Sequence, residues 1–163
     1  MKMILCFGIF SAFAFLGWWI HRSFRNRKQF FESLVRFCDH LLMEIGFSRR
    51  TIVQIIDTYL DNYSPQFAGV LLQYKTLLDN REDLSRDKLT AWNGLKNAEA
   101  QNLTDFLLEL GKHSVTEELE KIKTAKSRFE IFRAESTDKL KRDASIYFKI
   151  CILLGIGVVI LIL

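Results

Sequence analysis

Proline occurs once in this 163-residue chain and glycine eight times. A sheet protein needs many turn residues, so this scarcity favours helices, and no stretch shows the period-two alternation of a strand. Cysteine occurs three times. Cys6, Cys38 and Cys151 have no spacing that suggests a zinc site or a disulfide framework, so free, reduced thiols are expected. A Gly-rich phosphate loop, a CxxC pair and an HExxH helix are all absent from the sequence. So is acid from the stretch "WWIHRSFRNRK", residues 18–28, which carries four basic residues behind two tryptophans.

Charge is also missing from the two ends. Met3 to Ile20 carries none, and Ile146 to Leu163 carries only Lys149. The residues between hold all 19 acidic side chains and 21 of the 23 basic ones. The net charge of +4 is therefore mild and the middle nearly neutral, which does not by itself signal nucleic-acid binding.

As a helix, Met3 to Ile20 would span about 27 Å, close to the hydrocarbon core of a bilayer. Trp18 and Trp19 fall where indoles prefer the headgroup level, and Arg22, Arg25, Arg27 and Lys28 follow at once. A cleaved signal peptide fits less well. Cleavage after Ala12-Phe13-Ala14 would leave apolar Phe15 to Ile20 at the head of the mature chain, with basic residues behind them. The C-terminal block reads as a second span, with Lys149 snorkelling toward the interface. Both positive flanks lie on the side of the middle segment, so residues 21–145 are expected in the cytoplasm. The expected organisation is a membrane helix over 1–20, a cytoplasmic domain over 21–145 and a membrane helix over 146–163. The first basic cluster, interleaved with Phe24, Phe30 and Phe31, also resembles a nucleic-acid stacking surface. Its place beside a span points instead to topology and anionic lipid.

The middle reads as an all-α, antiparallel bundle of about six helices. Phe30, Phe31, Leu34, Phe37, Cys38, Leu41, Leu42 and Ile45 recur at three and four, with Gly46 as the expected stop. Ser48 is a candidate cap for a second helix through Ile52, Ile55, Ile56 and Tyr59. Ser64 and Pro65 open a third, carrying Phe67, Val70, Leu71, Tyr74 and Leu77. A polar loop, "DNREDLSRD", precedes helical stripes through Leu84 to Leu95 and Leu103 to Leu110, the latter ending at Gly111. Ser114 and Glu117 form a capping box for the last helix, whose apolar face runs through Leu119, Ile122, Phe129, Phe132 and Leu140.

Candidate chemistry is thin. His40 and Glu44 share a helix face as metal ligands do, yet such a pair is more often a solvated face. Ser114 beside His113 lacks a base-and-orienter set, and capping accounts for it. No cofactor is expected. Arg49 and Arg50, with Asp79, Arg81, Glu82, Asp83, Arg86, Asp87 and Lys88, are the candidate contacts for a protein partner. Ser114, Glu117, Trp92 and Gly111 are read as structural.

Four stretches resemble the stage III sporulation protein AB family: "MEIGFSRRTI" (43–52), "TAWNGL" (90–95), "FLLELGKHSVTEELEKI" (106–122) and "LLGIGVVILIL" (153–163). The chain departs from the family pattern at Ser114, where Asp is common, near Glu118, where Gln is, and near Thr51, where a Pro often stands. The resemblance implies a part in the sporulation channel between mother cell and forespore. The family is similar to the inner-membrane platform proteins of type II secretion. It thereby implies a non-enzymatic scaffold, partnered by other channel proteins including a cytoplasmic secretion-type ATPase, on the mother-cell side of the outer forespore membrane. Membrane lipid is a further expected partner, nucleic acid is not, and self-association is left open. The alternative is a membrane-tethered signalling adaptor.

Overall fold

The computed structural model describes residues 2–48, 50–80, 89 and 92–162; of these, the side chains of 2–7, 9, 10, 144, 145, 148, 159, 161 and 162 are not described. Every regular element among the described residues is helical. They are α1 (Lys2–Met43), α2 (Ile52–Tyr59), α3 (Pro65–Asp79), α4 (Asn97–Glu109), α5 (Val115–Lys139) and α6 (Ser145–Ile162). Two π-helical turns, Glu44–Ser48 and Leu140–Ala144, and one 3₁₀ turn, Leu60–Asn62, complete them.

The chain divides into two compact units, one of residues 1–28 with 134–163 and one of residues 29–133. In the second unit the phenylalanine-rich stripe of α1 is the spine. Phe30, Leu34, Phe37, Cys38 and Leu41 are fully buried, as the three-and-four spacing requires. The chain from Tyr59 to Phe67 runs back along this spine: Tyr63 and Phe67 both meet Phe37, and Phe67 meets Phe30. α4 and α5 also run antiparallel, with Asn102 bonded to Arg128 and Glu109 paired with Lys121. α5 lies against α1 through Phe31–Phe132 and through Asp39–Lys126, at 2.7 Å. Each large side chain fully buried here stabilises the fold by roughly 1.5–3 kcal/mol.

Local details differ from the expectation in instructive ways. Gly46 does not stop the first helix. Among the described residues the positive-φ glycine is Gly111, at φ 84°; at Gly46 the helix widens into a π turn, the kind of irregularity that often marks a functional segment. Ser48 lies inside that turn, so the cap of α2 is Thr51. Its Oγ1 accepts from Gln54 N–H at 3.4 Å, and Gln54 Oε1 accepts from Thr51 N–H at 3.1 Å. Ser64 and Pro65 do start α3, yet Ser64 makes no side-chain cap; instead its backbone N–H donates to Ser33 Oγ at 2.8 Å. Residues 92–95 form a turn, not the end of a helix, and the rest of the expected Leu84–Leu95 helix lies largely outside the described residues. Among the described residues the α-helices number six, of which α2, α3 and α4 lie wholly, and α1 and α5 in part, within the second unit.

The other unit contains the two apolar blocks. Phe24 of α1 and Tyr147 of α6 stack at 6.4 Å. α5 passes through the Leu140–Ala144 π turn directly into α6. Among the described residues no helix is long and apolar enough to cross a membrane.

Candidate interaction surfaces

The basic residues after the first apolar block share α1 with the tryptophans. Trp18 and Trp19 are exposed, and the Arg22 guanidinium stands 5.3 Å above the Trp18 ring. Trp18, Trp19, Arg22, Ser23 and Asn26 line a shallow depression of about 230 Å³. Arg25 is exposed, whereas Arg27 and Lys28 are half-buried. Lys149 is exposed on α6.

Of the proposed partner contacts, Arg49, Arg81, Glu82, Asp83, Arg86, Asp87 and Lys88 lie outside the described residues. Asp79 is exposed at the last residue of α3. Arg50 is part of a built cluster, because its Nε lies 3.5 Å from Oε2 of Glu44, a buried carboxylate. Tyr59 donates its hydroxyl to Glu44 Oε1 at 2.7 Å. That bond, with lesser help from Ser48 and Arg50, holds the Glu44 carboxyl below its usual range.

His40 and Glu44 do share a face, and the face is occupied. The His40 ring stacks on Tyr59 with centroids 3.9 Å apart, and Nδ1 lies 2.7 Å from the Tyr63 hydroxyl. Desolvation, and then the Arg36 charge, push the His40 pKa down, whereas burial pushes that of Tyr63 up. Both shifts favour the neutral forms, imidazole and phenol, on the two sides of this contact. Among the described residues no group of three or more His, Cys, Asp or Glu side chains is placed to hold a metal. Phe47, on the adjoining π turn, is 88% exposed.

Ser114 and His113 do not face each other as nucleophile and base. Ser114 gives its N–H to Glu117 Oε2 at 3.3 Å, the return half of a capping box, and its Oγ–H to the same oxygen at 2.9 Å. His113 Nε2 meets Lys121 Nζ at 2.7 Å. Gly111 takes the left-handed conformation that ends α4, and its N–H donates to Glu118 Oε1 at 2.9 Å. Trp92 stacks on Phe30 at 5.4 Å. A Cβ at position 94 would meet the Trp92 ring at 2.3 Å, so the glycine of "TAWNGL" makes room for the tryptophan.

A cavity of about 770 Å³ lies between α4 and α5. Asp105, Glu109, Glu117, Glu118 and Glu120 line it against Lys121 and Arg128, over a floor that includes Phe106, Ile122 and Phe129. Neither this groove nor Glu118 stands out in the sequence. Nothing in "TEELE" distinguishes the buried glutamate from its exposed neighbours; only the fold of Gly111 over α5 does.

These features define an all-helical protein whose described polar side chains are largely occupied with caps, turns and helix pairing. The family model for stage III sporulation protein AB matches residues 2–163, and the chain belongs to that family. No curated protein and no solved structure matches the chain.

Proposed function

We propose that this sporulation protein is a non-enzymatic membrane platform. Residues 3–20 and 146–163 are its two spans, residues 21–145 stand in the cytoplasm, and the helical domain engages a secretion-type ATPase of the mother cell–forespore channel. The observation that carries the membrane part is the exposed apolar surface of α6. Ile146, Tyr147, Ile150, Leu153, Leu154, Ile156 and Ile160 are all exposed. At about 100° per residue they cover roughly half the helix circumference. Such a surface in water forfeits about 25 cal/mol per Å² of apolar area, and hydrocarbon removes that penalty. Several side chains of the two apolar runs stand outside the described set, so the 18-residue lengths come from the sequence. The ATPase as partner follows from what the family resemblance implies.

Alkaline carbonate extraction of membranes from sporulating cells tests the anchoring. Retention in the pellet supports the spans, and release into the supernatant rejects them. Co-purification of the full chain with its operon's ATPase tests the partner, using Arg49→Glu with Arg50→Glu, and separately reversal of the charges from Asp79 to Lys88. Loss of the ATPase from either variant supports those contacts. Retention in both rejects those positions, and absence from the wild-type eluate rejects the ATPase as partner.

A further inference from the structure

We propose that the α4–α5 groove is a docking site for a basic, amphipathic helix of a partner protein. The chain as a whole carries a net charge of +4, yet this groove sets five carboxylates against two cations. The charge is therefore concentrated against the sign of the molecule, which steers a cationic partner to this place. The floor is apolar: Phe129 and Ile122 are buried, and Phe106 packs edge-on to Phe129 at 5.4 Å. A strongly hydrated ion has no use for such a floor. An arginine or lysine does, because its aliphatic stem lies on apolar surface while its head meets carboxylate.

Glu118 supplies a second, independent observation. It is only 5% exposed, and Oε1 is satisfied by the Gly111 N–H. Oε2 has no hydrogen-bond partner. A buried carboxylate oxygen left unsatisfied is costly, and a guanidinium or ammonium offers the strongest partner for it. The chain shows the same chemistry at the rim, where Lys121 Nζ lies 3.3 Å from Glu109 Oε2. The lining runs along α5 from Glu117 to Phe129. At 1.5 Å per helical residue that is about three turns, a length typical of a helix laid in a groove. The inference does not depend on which protein supplies the helix, nor on the ATPase reading.

The test uses full-length protein in neutral maltoside micelles, with empty micelles as control. The probe is a fluorescein-labelled 14-residue helical peptide with leucine on one face and arginine on the other. Its twin carries glutamate at every arginine position. Anisotropy should show binding of the arginine peptide alone, weakening as salt rises from 0.05 to 0.3 M. Glu118→Gln preserves shape and the Gly111 contact, and should weaken binding at least tenfold. Glu120→Lys, at an exposed rim position, should do the same without touching the core, which covers the case in which the Glu118 variant does not fold. Glu135→Lys, outside the groove, should leave the affinity within twofold. Equal binding of both peptides, no binding of either, or an affinity untouched by Glu120→Lys and by folded Glu118→Gln overturns the proposal.

Discussion

Phe67 is the side chain on which the second unit should depend most visibly. It is fully buried and meets three aromatic rings nearly edge-on: Phe30 at 5.3 Å, Tyr63 at 5.5 Å and Phe37 at 5.7 Å. Truncation to alanine removes its transfer free energy and leaves a cavity between α1 and α3, which for phenylalanine costs about 3–5 kcal/mol. The edge-to-face contacts, each worth about 0.5–1.5 kcal/mol beyond area, place Phe67→Ala at the upper end of that range. The rings around the hole are themselves braced by Trp92 on Phe30 and by His40 on Tyr63, so the site has little freedom to collapse. Since whole domains are stable by only about 5–15 kcal/mol, the variant should lose a third or more of its stability. Urea titration followed by far-UV circular dichroism, on the full chain in maltoside, reads the change. Leu72→Ala is the control on the same helix: Leu72 is 46% exposed, and its variant should stay within about 0.5 kcal/mol of wild type. A loss below about 1 kcal/mol for Phe67→Ala, or equal losses for the two variants, would refute the packing argument.

Glycine substitutions should split in sign. Gly69 lies exposed in α3, and a methyl added there would meet nothing within 4 Å, so Gly69→Ala should stabilise by about 0.5–1 kcal/mol in the same titration. At Gly111 a Cβ would meet Ile52 Cδ1 at 2.9 Å with φ at +84°, and Gly111→Ala should cost about 1–2 kcal/mol. Glu44 has its pKa depressed by the Tyr59 hydroxyl, so its contribution is present above the ordinary value of 4.5 and fades as pH falls through the folded value. Tyr59→Phe should therefore flatten the stability change in that acid window, and an unchanged slope would count against the hydrogen bond. His40 is held neutral by burial and by Arg36, so stability should also fall as pH drops below 6.5, where the unfolded imidazole gains its proton. His40→Gln should remove that dependence. Burial raises the Cys38 thiol to about 12, so it should resist iodoacetamide at pH 8 until the chain is unfolded, as mass spectrometry of the alkylated peptide would show.

Helices with a one-sided apolar stripe were legible because their period reports directly which face is buried. Phe67, Val70, Leu71, Tyr74 and Leu77 are all buried, as α3's spacing alone requires. Signals that depend on one residue were less faithful, since a serine or glycine can serve several local geometries. Ser48 and Thr51 are both competent caps; the π turn at Glu44–Ser48 decides between them, and that turn forms where Tyr59 and Arg50 reach back to Glu44. Ser64 marks the right start but lends its backbone to Ser33, a partner 31 residues earlier that no local pattern reveals. The groove was hidden for the same reason. Its carboxylates come from two helices, and in the sequence they are diluted among lysines that point elsewhere, as Lys126 does toward Asp39. Charge sums over a segment average out what an antiparallel pair sorts by face. A weakly charged helical domain can therefore carry a strongly acidic site, and its partner's chemistry is read only after the helices are paired.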